Sequence, residues 1–138
     1  MARIMILEDD PNLRRFLSIF VASRGHAVTF EGGSGHVGLQ HLARDPEGTD
    51  VVLSDLRMPI ADGLDVLAGV RAMTRGMSPR CSLRSPCVRV VLASAHWTEE
   101  EVALARDLGA DALLAKPFDL DALARELDRP ALAAKTEA

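Results

Sequence analysis

The sequence has few of the features that would anchor a protein in a membrane, cross-link it or attract it to nucleic acid. Its 138 residues include two cysteines, one tryptophan and no tyrosine. No apolar run approaches the roughly 18 residues that are needed to cross a bilayer. The net charge of −4 gives the chain as a whole no electrostatic attraction for nucleic acid. We therefore expect neither a membrane span nor direct nucleic-acid binding.

The first residues also lack the pattern of a secretory leader. Met1-Ala2-Arg3 is followed by a short apolar run that ends in acidic residues. We therefore expect a cytoplasmic location, where Cys81 and Cys87 would be free thiols. Residues 76–90 contain no His, Asp or Glu that would complete a metal site around these cysteines.

Short apolar runs alternate along the chain with stretches that have helical spacing. The hydrophobic content of 48% and the charged content of 26% are typical of one folded domain. The predicted strands cover residues 4–7, 26–30, 51–54, 88–93 and 112–115. The predicted helices cover residues 11–24, 36–43, 64–73, 99–108 and 120–127. This alternation indicates an α/β fold, a single doubly wound five-stranded parallel sheet with five helices on its two faces.

Two helix starts carry clear capping signals. Asp10 precedes Pro11, which suits the first turn of a helix, so Asp10 is predicted to be the N-cap. Thr98 precedes three glutamates, and Glu101 stands where a capping box requires an acid.

Polar side chains follow four of the five predicted strands. They are Glu8 and Asp9, then Asp55, then Ser94, then Lys116. Because the carboxyl ends of parallel strands share one edge of a sheet, we expect these side chains to converge there. Three neighbouring carboxylates repel one another. A hard divalent cation such as Mg²⁺, which prefers oxygen ligands, would relieve that repulsion.

Such a set suits the transfer of a phosphoryl group to the carboxylate of Asp55. This chemistry needs charge neutralisation and alignment more than proton transfer. Lys116 would pair with one phosphoryl oxygen, and Ser94 would donate a hydrogen bond to another, beside the small Ala95. Considered singly, Ser94 is as readily a buried hydroxyl bonded to backbone, and Lys116 a solvated charge before a helix.

Four stretches, in this order, resemble the receiver domain of two-component response regulators, a family of flavodoxin-like fold that includes chemotaxis regulators. They are Ile6-Leu7-Glu8-Asp9-Asp10-Pro11, Leu53-Ser54-Asp55-Leu56-Arg57-Met58-Pro59 with Asp62-Gly63, Val91-Leu92-Ala93-Ser94-Ala95, and Gly109-Ala110-Asp111 leading to Lys116-Pro117-Phe118. The resemblance implies the strand order 2-1-3-4-5. It also implies a receiver domain over 1–129, followed over 130–138 by a frayed tail or the start of a linker.

The resemblance implies that Asp55 accepts a phosphoryl group from a histidine kinase or phosphotransfer protein. It assigns Mg²⁺ to Glu8, Asp9, Asp55 and the backbone carbonyl of Arg57. The chain would not be an enzyme on any separate substrate, since its only reactions are self-phosphotransfer and autodephosphorylation at Asp55. Signalling would pass through an unidentified downstream protein. Because nine residues follow Arg129, we expect a stand-alone receiver or a fragment of a longer regulator or hybrid kinase.

In the same comparison Ser94 matches the family's switch hydroxyl and Lys116 its lysine, whose bond to Pro117 the family suggests is cis. Arg57 lies two positions beyond Asp55 and is expected to overhang the phosphoryl site, where a bulky cation favours a longer-lived phosphorylated state. The residues expected to line the site are Asp10, Ala95 and His96. His96, two positions beyond Ser94, fits an overhanging group and an exposed loop residue equally well.

Two features depart from the family pattern. Leu113 stands three residues before Lys116, where the family usually has Tyr or Phe, so the usual coupling between an aromatic ring and the switch hydroxyl is in doubt. The stretch 71–89 contains five arginines and neither acid nor lysine. It is interpreted either as a solvated, mobile loop or as a docking patch for an acidic partner.

Two other function classes remain open from the sequence. A pseudo-receiver would use the same fold as a phosphorylation-independent interaction module, which Leu113 permits but the intact acids and lysine oppose. An enzyme such as an aspartate-based phosphatase would need a second acid two residues after Asp55, where Arg57 stands. Flavin binding would need a phosphate-cradling loop after the first strand, where acids stand instead.

Overall fold

The computed structural model describes residues 1–74 and 88–129. Its strands are β1 (Arg3–Leu7), β2 (Ala27–Gly32), β3 (Val51–Asp55), β4 (Arg89–Ser94) and β5 (Ala112–Ala115). Its helices are α1 (Pro11–Ser23), α2 (Gly35–Arg44), α3 (Gly63–Thr74), α4 (Glu99–Asp107) and α5 (Leu120–Leu127). The strands pair in parallel in the order β2-β1-β3-β4-β5. The predicted fold class and strand order are confirmed.

The sheet separates two apolar cores, because successive side chains of each strand point to opposite faces. In β1, Met5 and Leu7 belong to a core that includes residues of α2, α3 and α4. Ile4 and Ile6 belong to the other core, which includes residues of α1 and α5. The central strand β3 is buried along its whole length, so Asp55 lies at the end of a strand that is covered on both faces.

Both predicted caps are confirmed. The carboxylate of Asp10 accepts hydrogen bonds from the backbone N–H groups of Asn12 and Leu13 at the start of α1. The side chains of Thr98 and Glu101 form a reciprocal capping box at the start of α4. Strand β2 begins one residue later than predicted and ends two residues later, because Glu31 and Gly32 continue the ladder beside β1.

The arginines at the two ends of the stretch 71–89 are buried and bonded. Arg71 donates to the carbonyls of Val88 and Gly109 at 2.5 and 2.6 Å, and to Asp111 at 2.8 Å. Arg89 donates to the carbonyl of Glu126 at 2.5 Å. These two arginines therefore tie secondary-structure elements together. The interpretations of Cys81, Cys87, the other three arginines and the tail 130–138 lie outside the described residues.

At the sheet edge where β1 and β2 begin, one imidazole joins distant parts of the chain. The backbone N–H of Ala2 donates to Nδ1 of His26 at 3.0 Å. Nε2 of His26 lies 2.8 Å from a carboxylate oxygen of Asp128, directly after α5. Across the residues that the structure describes, no helix has the length and apolar character of a membrane span.

Candidate functional site

The loop after β3 is held in a tight path that brings the Asp55 carboxylate to the sheet edge. The N–H of Leu56 donates to the carbonyl of Ala93 at 2.8 Å, and Gly63 donates to the carbonyl of Leu56 at 2.8 Å. A Cβ atom on Gly63 would lie 2.7 Å from the carbonyl oxygen of Asp55. Glycine is therefore required at this close approach of the α3 start to β3.

Three carboxylates meet at this edge, as the sequence predicts. Oxygens of Glu8, Asp9 and Asp55 all lie within 4.8 Å of one another. Glu8 is 2% exposed and Asp55 9% exposed, while Asp9 faces solvent. The cluster could hold a metal ion, since three hard oxygen donors converge with one side open. Asp10 is not part of the cluster, because its carboxylate caps α1.

Lys116 lies between the two more buried acids. Its Nζ atom is 2.6 Å from Glu8 and 3.1 Å from Asp55. Burial raises the pKa of Glu8 and outweighs the hydrogen bonds from Lys116 and from the backbone of Asp10. Burial alone would lower the pKa of Lys116, but its hydrogen bonds to Glu8 and Asp55 and their charges raise it. The lysine is thus a fixed cation in contact with two carboxylates.

The hydroxyl of Ser94 is bonded within its own loop. Ser94 is 2% exposed, and its Oγ atom donates to the carbonyl of His96 at 2.8 Å and accepts from the N–H of His96 at 3.1 Å. The sequence left open that Ser94 is a buried hydroxyl bonded to backbone, and these contacts match that alternative. The carbonyl of Ser94 accepts from the N–H of Lys116 at 2.9 Å, so the loops after β4 and β5 lie side by side, and the Lys116–Pro117 bond is cis.

The guanidinium of Arg57 is bonded to α4 and the loop before it. It donates to the carbonyl of His96 at 3.1 Å and to the Glu101 carboxylate at 3.0 Å. The side chains of Ala95 and His96 are exposed beside Ser94. For His96, only the backbone makes hydrogen bonds among the described contacts.

Three contacts at the site were not predicted from the sequence. Arg14 donates to the backbone carbonyl of Glu8 at 2.7 Å and so supports the acidic loop. Glu101 was recognised as a cap but not as the partner of Arg57. Trp97 donates its indole N–H to the carbonyl of Leu114 at 2.8 Å, and both Trp97 and Leu113 pack on the core shared with α4. Each contact joins residues that no local sequence pattern relates.

Comparison with known proteins agrees with this arrangement. The family model "Response regulator receiver domain" matches residues 4–128. The chain is 32% identical over 127 residues to the transcriptional regulatory protein GlrR of Escherichia coli K12, covering 92% of this chain and 26% of GlrR. It is 35% identical over 144 residues to the transcriptional activator protein PfeR of Pseudomonas aeruginosa, covering 98% of this chain and 42% of PfeR. The chain therefore spans less than half the length of these relatives.

Solved structures show the same likeness. The signal receiver domain of the putative response regulator NarL from Mycobacterium tuberculosis matches with a TM-score of 0.75 and 27% identity, covering 91% of this chain and 92% of that one. The receiver domain of the sensor histidine kinase PA1611 from Pseudomonas aeruginosa matches with a TM-score of 0.74 and 25% identity, covering 96% of this chain and 98% of that one. That structure is described with a magnesium ion coordinated in its active-site cleft. Sequence, fold and the convergence of acids and lysine at one sheet edge agree, and the chain belongs to the response regulator receiver domain family.

Proposed function

We propose that the chain is a phosphorylation switch in which Asp55 accepts a phosphoryl group from a phosphohistidine. The observation that carries this proposal is Lys116, held between Glu8 and Asp55 at 2.6 and 3.1 Å. A cation in this position would stay beside Asp55 while the negative charge of a phosphoryl group arrives. A structural ion pair would need only one of the two acids.

The carboxylate cluster fits Mg²⁺, which prefers hard oxygen ligands and keeps several waters. Glu8, Asp9 and Asp55 would hold the ion, with the backbone carbonyl of Arg57 as the further ligand that the family resemblance implies. When bound, Mg²⁺ supplies charge neutralisation for the carboxylates and the phosphoryl oxygens. The magnesium ion in the PA1611 receiver domain supports this assignment.

In the transfer, a carboxylate oxygen of Asp55 forms a bond to phosphorus as the P–N bond of the donor breaks. The electron pair returns to the donor's imidazole, which leaves neutral if its other nitrogen is protonated. The receiver therefore need not supply a proton. Lys116 pairs with a phosphoryl oxygen, and Ser94 donates to another once its hydroxyl leaves the carbonyl of His96.

The donor would be a histidine kinase or a phosphotransfer protein in the cytoplasm, and the chain would act on no separate substrate. An apolar groove of about 350 Å³ lies beside Lys116. Its lining residues are Leu13, Phe16, Lys116, Pro117, Phe118 and Leu120. A protein that brings its phosphohistidine to Asp55 would cover this groove. Output would pass through contact with another protein segment. The relatives GlrR and PfeR are named as a transcriptional regulatory protein and a transcriptional activator, so a transcriptional output would fit this chain.

The test is to incubate the protein with Mg²⁺ and phosphoramidate or acetyl phosphate and to measure its intact mass. We expect a Mg²⁺-dependent gain of one phosphoryl group, about 80 Da, that the Asp55→Asn variant lacks. A folded protein that gains no mass, beside a receiver that does, would contradict the proposal and favour the pseudo-receiver.

A further inference from the structure

The loop between β4 and α4 is held by two donors on one acceptor. The carbonyl of His96 accepts from Oγ of Ser94 at 2.8 Å and from the guanidinium of Arg57 at 3.1 Å. Arg57 belongs to the loop that follows Asp55, whereas His96 precedes α4. One carbonyl therefore joins the switch hydroxyl to the loop of the phosphorylation site.

The same guanidinium also reaches α4. It lies 3.0 Å from Oε1 of Glu101, and that oxygen accepts the N–H of Thr98 in the capping box at 3.1 Å. The hydrogen bond from Thr98, followed by the effect of Arg57, lowers the pKa of Glu101. The carboxylate is thus ionised at neutral pH, and its bond to Arg57 is charge-assisted.

We propose that the ion pair of Arg57 and Glu101 is a latch that holds the Ser94 hydroxyl on the His96 carbonyl, so that the pair must loosen before the hydroxyl can reach a phosphoryl group on Asp55. This inference rests on the proposed function, and it deepens that function by naming how the site is regulated. Arg57 and Glu101 are positioning residues in this scheme, because they act through the loop.

The physical argument is that the Ser94 hydroxyl has one proton to donate. To bond a phosphoryl oxygen it must leave the His96 carbonyl, and the loop must shift with it. Arg57 and Glu101 oppose that shift because Arg57 binds both the His96 carbonyl and the Glu101 carboxylate of the α4 cap. Before phosphorylation, only a small fraction of the molecules then has the shifted loop. Loosening the latch raises that fraction.

The residue after His96 makes the shift observable. Trp97 is the only tryptophan in the chain, and its indole N–H is bonded to the carbonyl of Leu114 in β5. A change in the path of the loop alters that bond and the packing of the ring on the core shared with Leu113. The emission of Trp97 therefore reports whether the latch is closed or open. Leu113 could not report it, because it carries no aromatic ring.

The test compares Glu101→Gln with Glu100→Gln. Glutamine at the N3 position keeps the acceptor that the capping box needs, but it loses the charge that binds Arg57. The neighbouring Glu100 is exposed and makes no hydrogen bond among the described residues, so its variant controls for the loss of one negative charge. Each protein is mixed with Mg²⁺ and phosphoramidate, and the rate of mass gain and the emission of Trp97 are recorded.

We expect Glu101→Gln to be phosphorylated about two- to fivefold faster than the wild type, the range set by the strength of an exposed ion pair. Its emission before phosphorylation should already be displaced toward that of the phosphorylated wild type. Glu100→Gln should match the wild type in both measurements. Adding Glu101→Gln to an Arg57→Gln background should have no further effect, because the pair acts as one unit.

Equal rates for Glu101→Gln and wild type would overturn the latch, and so would an equal acceleration in Glu100→Gln. A Glu101→Gln protein that is less stable but keeps the wild-type rate and emission would reduce Glu101 to a structural cap. These outcomes require the mass adduct to form. If the wild type forms no adduct, the proposed function fails first and this inference fails with it.

Discussion

Lys116 is the residue on which the electrostatics of the site depend. It is close to both Glu8 and Asp55, so one positive charge offsets part of the repulsion among three carboxylates. Removing one partner of a buried ion pair is costly, because the remaining charge stays desolvated. The sequence predicted this convergence, because a residue that follows a buried parallel strand has only one edge of the sheet on which to lie.

The roles of the neighbouring acids Asp9 and Asp10 can be separated by substitution. Asp9 belongs to the carboxylate cluster, and Asp10 caps α1. We expect Asp9→Asn to weaken Mg²⁺ binding at least about tenfold, because an amide replaces a charged oxygen ligand. Asp10→Asn is the matched control, since asparagine caps helices as well as aspartate does.

Mg²⁺ affinity can be measured by titration followed through Trp97 emission or thermal unfolding. Asp10→Asn should stay within about threefold of wild type, because its charge is screened by water. Equal losses in the two variants would mean that general negative charge, and not a ligand at Asp9, determines binding.

Asp50 provides a pH prediction outside the site. Its carboxylate accepts hydrogen bonds from the backbone N–H of Arg3 at 2.8 Å and from the Arg3 guanidinium at 2.9 and 3.1 Å. Burial alone would raise the pKa of Asp50, but the bonds from Arg3 outweigh it and lower the pKa. The folded protein therefore keeps this carboxylate ionised at a lower pH than the unfolded chain does.

The stability from Asp50 should be fully present above the unfolded pKa of about 3.9 and be lost as the pH falls through the folded pKa. This contribution can be measured by urea unfolding of the wild type and of Asp50→Asn, from neutral pH down to the lowest pH at which the protein stays folded. We expect the difference between them to shrink below about pH 4. A difference that is the same at all pH values would show that the aspartate acts through shape alone.

Among the elements, strands and helices were predictable where the cause is local. The run Val51–Asp55 lacks alternation because both faces of β3 are covered, and the caps of α1 and α4 follow from side chains beside the helix. The contacts of Arg57 with Glu101 and of Trp97 with Leu114 join residues 44 and 17 positions apart. Long flexible side chains choose such partners only after the elements have packed, so no local pattern encodes the choice.

Arg71 is another long side chain whose partners lie far away in the sequence, and its contacts support a prediction for α3. Buried Arg71 connects α3 to the start of β4 and to the turn before β5 through two carbonyls and Asp111. Arg71→Met should lower the free energy of unfolding by about 3–5 kcal/mol, because Asp111 loses its cation and the carbonyls lose their donor. The exposed Arg15 in α1 gives a control, Arg15→Met, expected within about 0.5 kcal/mol of wild type. Urea unfolding measures the free energy of unfolding of both variants. Equal losses of stability would show that the contacts of Arg71 do not hold α3 to β4 and β5.

At the scale of the whole molecule, the apolar groove and the carboxylate cluster share contacts with Lys116. Phe16 lines the groove and is 45% exposed, so its ring is accessible to a protein that covers the groove. If the proposed function holds, a donor protein would meet this surface, whereas a small phosphodonor would not need to. Comparing a donor protein with a small phosphodonor therefore separates an effect on protein docking from an effect on phosphoryl transfer itself.

We expect Phe16→Ala to leave phosphorylation by phosphoramidate unchanged. It should slow transfer about fivefold or more from any phosphotransfer protein found to phosphorylate the wild type, because truncating a buried interface aromatic costs more than about 1 kcal/mol. Leu104→Ala on α4 is the control, since Leu104 is similarly exposed but does not line the groove. Equal effects of the two variants on transfer would place the docking surface elsewhere.

The imidazole of His26 has a consequence for how this fold can be combined with others. Since it bonds to Ala2 and also lies beside Asp128, the receiver fold begins and ends on one side, at the sheet edge opposite Asp55. Domains whose ends lie together tolerate insertion into other chains and circular permutation. A short peptide joining residues 2 and 128, with new ends opened in another loop, should leave the carboxylate cluster intact. The same geometry would let the fold be spliced between two other modules without covering its carboxylate cluster.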